Sequence, residues 1–380
     1  MTKAGNTETT EKHRGHGGNS KRKSKLSLIQ VFSVFSVIAS VVSGFPAFGF
    51  DPVVPGHKLE FPRDAGAHPG HRIEWWYVTG HLESPKGPVG FQVTFFRVRN
   101  PEADGNPSRF SPKQLLFAHA ALADPAEGRL LHAQRSARAL EGLVEARNGV
   151  MGVRIDDWSL VTEGGGYRTR IAATDFTFDL ALSPTQPPML QGEGGFSRKG
   201  ASGPHASYYY SEPQLRVTGS VSSRGKVREV QGVAWLDHEW SSELLAEDAA
   251  GWDWLGANLD DGGALMAFRI RGKDGATLWA NAALRARGGP ATSLGADAVS
   301  FAPRREWKSP RTGVSYPVAM EVRVGSQTWT VDPLMDDQEL DARASTGTLY
   351  WEGAVRVQSS GGARGRGYLE LTGYGGRPPF

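Results

Sequence analysis

With 380 residues, 48 glycines, 23 prolines and no cysteine, the chain has room for two ordinary domains or one large β domain. It excludes disulfides, thiolate metal sites, a Cys nucleophile and a lipidated Cys. Setting aside the seven Lys or Arg and two Glu of residues 1–25 turns a formal charge of +3 into 36 basic against 38 acidic side chains, so the body makes no electrostatic case for nucleic acid.

Residues 1–25 are polar and read as a disordered basic N-terminus ending in Lys21-Arg-Lys-Ser-Lys25. The apolar run Leu26 to Ser43 and the small residues Gly44-Phe-Pro-Ala47 follow. A basic, then apolar, then small-residue order describes an export signal over residues 26–49, with an uncleaved anchor as the alternative. The chain is therefore expected to be exported, periplasmic or membrane-associated through this segment.

From Ile73 the pattern changes to period two. Ile73 to Leu82 reads as a strand, Ser84-Pro-Lys-Gly87 as a turn and Val89 to Val98 as the hairpin partner. Leu115 to Leu122, Gly152 to Val161, Tyr167 to Ala173 and Phe176 to Leu182 continue as short strands. A Pro- and Gly-rich loop, 183–195, precedes Tyr208 to Tyr210, Leu215 to Ser220 and Val227 to Trp235. Ser241 to Ala250 is expected to be a short helix with Ser242 as cap. The second half alternates strands with Asp-Gly turns: Trp252 to Leu259, Ala264 to Arg271, Thr277 to Arg285, a Gly/Ala loop at 287–297, and strands at Ala298 to Phe301, Ser315 to Val324, Gln327 to Val331, Thr348 to Val357 and Gly367 to Gly373. No βαβ alternation occurs, so the expected fold is all-β: two antiparallel barrels or sandwiches in tandem, each of lipocalin size, at 50–243 and 244–380.

The densest chemistry lies in Val233-Ala-Trp-Leu-Asp-His-Glu-Trp240. On a strand, Leu236, His238 and Trp240 point one way and Trp235, Asp237 and Glu239 the other. Polar groups this dense in an apolar strand are costly unless used or fully paired. Their bland reading is pairing of Asp237 and Glu239 with Arg97 or Arg269, and His238 as a hydrogen-bonded interior histidine. Other chemistries find little support. His238-Glu239 lacks the second His of a zinc-protease helix, the Gly-rich loops lack a phosphate-binding Lys, and no Gly-Xaa-Ser-Xaa-Gly elbow occurs. No cofactor and no metal are expected, the remaining metal alternative being convergence of His71, His81 and His119.

Glu74-Trp75-Trp76-Tyr77 with Gly80-His81-Leu82, then Gly90-Phe91-Gln92, Trp235-Leu-Asp-His-Glu-Trp240, Tyr350-Trp351-Glu352-Gly353 and Gly367-Tyr368-Leu-Glu-Leu-Thr-Gly-Tyr374 together resemble the AttH and carotenoid 1,2-hydratase (CrtC, hydroxyneurosporene synthase) family, in its order and over about His57 to Tyr374. The resemblance implies paired lipocalin-like barrels and, in the hydratases, addition of water to the terminal double bond of acyclic carotenoids. It also implies catalytic roles for His238 and Trp240. The later strand, where those hydratases carry a Tyr and an Asp, here reads Met266-Ala-Phe-Arg-Ile270.

Protonating an alkene needs an acid whose pKa is tuned by burial, and π-faces for the cation that forms. The expected catalytic set is thus Asp237, His238 and Trp240. Trp75, Trp76, Tyr77, Glu239, Trp252, Trp254 and Tyr209 are expected around a long apolar, isoprenoid-like ligand, although singly such aromatics are more often core packing. A non-catalytic carrier or accessory protein of a membrane transporter, using the same cavity, is the alternative.

Overall fold

The computed structural model describes residues 49–108 and 110–378; the basic N-terminus and most of the export-signal segment lie outside the described residues. The chain forms two curled antiparallel sheets, the first a nearly closed barrel and the second a half-barrel, in a lipocalin-like fold. Among the described residues the helical pieces are four 3-10 turns.

The first sheet starts with the hairpin Ile73–Ser84 and Gly87–Arg99, whose register closes at Ser84 opposite Gly87. Its last strand, Lys226–Glu243, returns to lie between the first strand and Ala206–Ser223. The second sheet repeats this scheme, its first strand Ala249–Leu259 pairing with its last, Arg364–Thr372. Pairing first with last curls each meander on itself and buries one face of every strand. Phe91, Val93, Trp158 and Leu180 fill the first interior, and Tyr316, Trp329, Val355 and Leu369 the second. A third apolar cluster of Tyr77, Tyr209, Trp235, Trp254, Met266 and Phe268 lies between the sheets.

The expected helix at 241–250 does not form. Ser241 pairs with Ile73 in the sheet, and Ser242 donates to the Asp51 carbonyl at 2.6 Å instead of capping. Only residues 244–248 separate the two long strands, too few for a stable helix against two sheets already in register. The strand expected over Gly152 to Val161 is two, Gly152–Ile155 and Trp158–Glu163, because Asp156 turns the chain at φ 55°. The supposed loop 287–297 holds a short edge strand, Ala291–Leu294.

Hydrogen bonds tie the sheets together. His81 Nε2 lies 2.9 Å from the Gly367 carbonyl, His119 Nε2 2.9 Å from Ser345 Oγ, and Gln214 Nε2 donates to the carbonyls of Leu259 and Gly263.

Candidate functional site

The central strand Lys226–Glu243 has partners on both sides, and its register sorts the aromatic motifs. Trp75, Trp76 and Tyr77 stand opposite Glu239, His238 and Asp237; on the other side Tyr209, Tyr210 and Ser211 stand opposite the same three residues. Residues directly opposite share a face. Trp75, Tyr77, Tyr209, Ser211, Asp237 and Glu239 therefore form one surface, and Trp76, Tyr210 and His238 the other.

The first surface faces the second sheet across a cavity of about 100 Å³. Trp252, Trp254, Phe268 and Ile270 supply much of its apolar wall from the opposite side, and Trp75, Tyr77 and Tyr209 from this one. Asp237 is buried on this wall. Its Oδ1 accepts from Trp235 Nε1 at 2.6 Å and Ser211 Oγ at 2.5 Å, and its Oδ2 from Tyr209 Oη at 2.7 Å. Tyr209 Oη in turn accepts from Trp254 Nε1 at 3.1 Å, so an indole from the second sheet steadies a carboxyl of the first. Burial outweighs these three donors and pushes the Asp237 carboxyl up to about 7. One lone-pair direction on Oδ2 remains beyond those donors, since a carboxylate offers about four.

Glu239 is neutralised differently. It accepts from Ser207 Oγ at 2.5 Å and pairs with buried Lys199 at 2.6 Å, whose ammonium also lies 4.4 Å from the Phe268 ring centroid. Two carboxyls complete the wall from the second sheet. Glu352 and Glu370 stand opposite each other in register. Glu370 accepts from Trp252 Nε1 and Thr372 Oγ1, while Glu352 Oε2 is buried without a hydrogen-bond partner among the described residues. Burial raises both, Glu352 further through its neighbour Glu370.

The second surface belongs to the interior of the first barrel and centres on Glu74. His238 Nε2 lies 2.9 Å and His68 Nδ1 2.7 Å from Glu74 Oε1, and Arg97 Nε donates to Oε2 at 2.7 Å. Burial would raise Glu74, but Arg97, His238 and His68 hold it well below the carboxylate range. Burial lowers His238, whereas at His68 hydrogen bonds to Asp64 and Glu74 outweigh burial and raise it. His68 stacks on Trp240 at 3.8 Å between centroids, and Trp76 on His238 at 4.7 Å.

The expected site residues are thus divided. Asp237, Glu239, Trp75, Tyr77, Tyr209, Trp252 and Trp254 line the cavity; His238, Trp240 and Trp76 lie on the other face, among the packed residues of the barrel interior. The pairings considered for the carboxylates also change: Arg97 serves Glu74, Arg269 serves Asp253, and Lys199 is the cation at Glu239. His71, His81 and His119 do not converge. His81 and His119 bond to separate points of the second sheet, and the His71 ring lies beside His68 and Tyr208. The described residues that come within metal-ligating reach of one another are His68, Glu74 and His238. Their 2.7–2.9 Å spacings are those of direct hydrogen bonds, and Arg97 occupies the other carboxylate oxygen. Sequence reasoning gave no role to Lys199, Glu352 or Glu370. The last two had a signal like that of Asp237, a carboxyl inside an apolar alternating strand.

A family model described as AttH-like matches residues 52–374. Among solved structures, an AttH protein from Nitrosomonas europaea shares 56% identity with a TM-score of 0.80, covering 86% of this chain and all of that one. Kievitone hydratase from Nectria haematococca superposes with a TM-score of 0.64 at 13% identity, covering 85% and 96% of the two chains. CghA superposes at 0.50 and 15% identity, over 86% and 97%. At these low identities the last two likenesses are of fold. A comparison with curated proteins gave no match.

Proposed function

Because this chain belongs to the AttH-like family, we propose that its inter-sheet cavity binds an olefinic, isoprenoid-like ligand and adds water across a carbon–carbon double bond, with Asp237 as proton donor. The observation that carries this reading is the Asp237 carboxyl, buried on an aromatic wall and pushed up to about 7, so that a large fraction holds its proton at neutrality.

In the reaction the Asp237 O–H bond breaks and a C–H bond forms at the less substituted alkene carbon, leaving a tertiary carbocation. The π-faces of Trp75, Trp252 and Trp254 stabilise that charge. Water adds to the cation, and the proton it loses restores the acid, directly or through Glu370. The fold likeness to a protein named kievitone hydratase agrees with this chemistry. His238 and Trp240, catalytic by resemblance, act here through the Glu74 network that fixes the strand on which Asp237 stands. A cavity of about 100 Å³ takes the prenyl end of a ligand rather than a whole carotenoid. The basic-then-apolar order of Lys21 to Ser43 supports a reaction outside the cytoplasm, at or near a membrane.

The test is incubation of the purified full-length protein with an acyclic carotene and with para-prenylphenol, followed by mass analysis. A gain of one water that disappears in Asp237→Asn is expected. Stable retention of either compound without water gain would leave a carrier, the alternative class, as the function.

A further inference from the structure

The cavity has a polar end that the hydration step does not use. Tyr77 Oη and Glu352 Oε2, both on the cavity wall, are buried and have no hydrogen-bond partner among the described residues; their residues are 5% and 4% exposed. Tyr350 Oη, on a wall residue 2% exposed, is a third such atom. Glu352 and Glu370, opposite each other in register, face the same cavity from the second sheet as Tyr77 does from the first. Tyr77 also stands directly opposite Asp237 across paired strands.

Buried polar groups are nearly always paired, and leaving one unpaired carries its full desolvation penalty. A wholly hydrocarbon ligand would seal these atoms in without partners. An ammonium would bring only donors and leave the Tyr77 O–H without an acceptor. A hydroxyl accepts from the phenol and donates to the carboxyl oxygen.

We infer that the ligand is an olefinic alcohol or phenol, whose hydroxyl is held between Tyr77 Oη and Glu352 Oε2 while its double bond lies toward Asp237. This rests on the cavity reading above and names the ligand class for it. Tyr77 and Glu352 are thereby residues of specificity, and an unsubstituted acyclic carotene is a poor ligand.

The experiment is calorimetric titration of the full-length protein with para-prenylphenol, its methyl ether, prenylbenzene and para-prenylbenzylamine. The phenol is expected to bind at least about tenfold more tightly than each of the others, about 1.4 kcal/mol. In Tyr77→Phe and Glu352→Leu that preference should shrink toward unity while prenylbenzene binds as before. Equal affinity of phenol and prenylbenzene in the native protein, tighter binding of the amine, or no saturable binding of the phenol overturns the inference, whether or not the variants fold. Binding and turnover separate the two proposals. A tightly held phenol that gains no water sinks the hydratase and keeps the hydroxyl anchor; prenylbenzene hydrated as efficiently as the phenol does the reverse.

Discussion

Asp237 and His238 are adjacent in the chain and serve opposite faces of one strand, Asp237 on the inter-sheet cavity and His238 2.9 Å from Glu74 inside the first barrel. Their substitutions should therefore fail in different ways. Asp237→Asn keeps a carbonyl to accept from Trp235 and Ser211 but has no acidic proton. Water addition to para-prenylphenol should fall by roughly 10²–10⁴-fold, with thermal unfolding shifted by only a few degrees. Retention of more than about a tenth of the native rate would remove Asp237 from the role of acid.

His238→Ala should act on the fold. It empties a ring-sized space against Trp76 and takes one of the partners from the fully buried Glu74. The loss is expected at about 2–5 kcal/mol, read as a lowered denaturant midpoint. The fraction that remains folded should bind para-prenylphenol as the native protein does. A His238→Ala protein of native stability whose turnover has collapsed would restore the catalytic role implied by resemblance.

The sequence carried the alternation of the central strand, and with it the separation of Asp237 from His238, because a strand has only two faces. The all-β class and the Asp-Gly hairpins were legible for the same reason: each depends on neighbours in the chain. Which face met the second sheet was not legible. That depends on the pairing of Ile73–Ser84 with a strand whose paired positions lie 148 to 168 residues away and on the packing of two separate sheets. Lys199 offered no local signal, since its carboxylate partner lies 40 positions on. The helix expected at 241–250 was overridden by a long-range strand pairing that local cap chemistry could not reveal.

The proton on Asp237 gives a pH signature with a definite sign. Its folded pKa, about 7, lies above the ordinary aspartate value of 3.8, so the folded state holds a proton that the unfolded chain has already lost. The contribution is fully present below pH 4, declines as pH rises toward 7, and is flat above it. A shift of about three units corresponds to as much as about 4 kcal/mol. Native protein should lose stability relative to Asp237→Asn over that window, in parallel urea titrations at several pH values. Turnover by the native protein should also fall as pH rises through about 7. A constant gap in stability between the two proteins from pH 4 to 7 would contradict the raised pKa.

Gly90 gives a way to disturb the junction of the sheets without touching a cavity carboxyl. It lies in the strand Gly87–Arg99, and a Cβ there would stand 2.6 Å from the Ala354 Cβ and 2.8 Å from Tyr368 Oη, both on the second sheet. Neither distance is tolerable, and the Ala354 methyl is fixed to backbone, so the sheets must part by a fraction of an ångström or Tyr368 must move. Gly90→Ala should cost about 1–3 kcal/mol of stability and weaken binding of para-prenylphenol several-fold, because the cavity is walled from both sheets. Gly295→Ala, where an added Cβ meets nothing within 4 Å, is the matched control and should change neither. If the two variants proved indistinguishable in thermal unfolding and in calorimetric titration, the contact between Gly90 and the second sheet would not be what holds the cavity in shape.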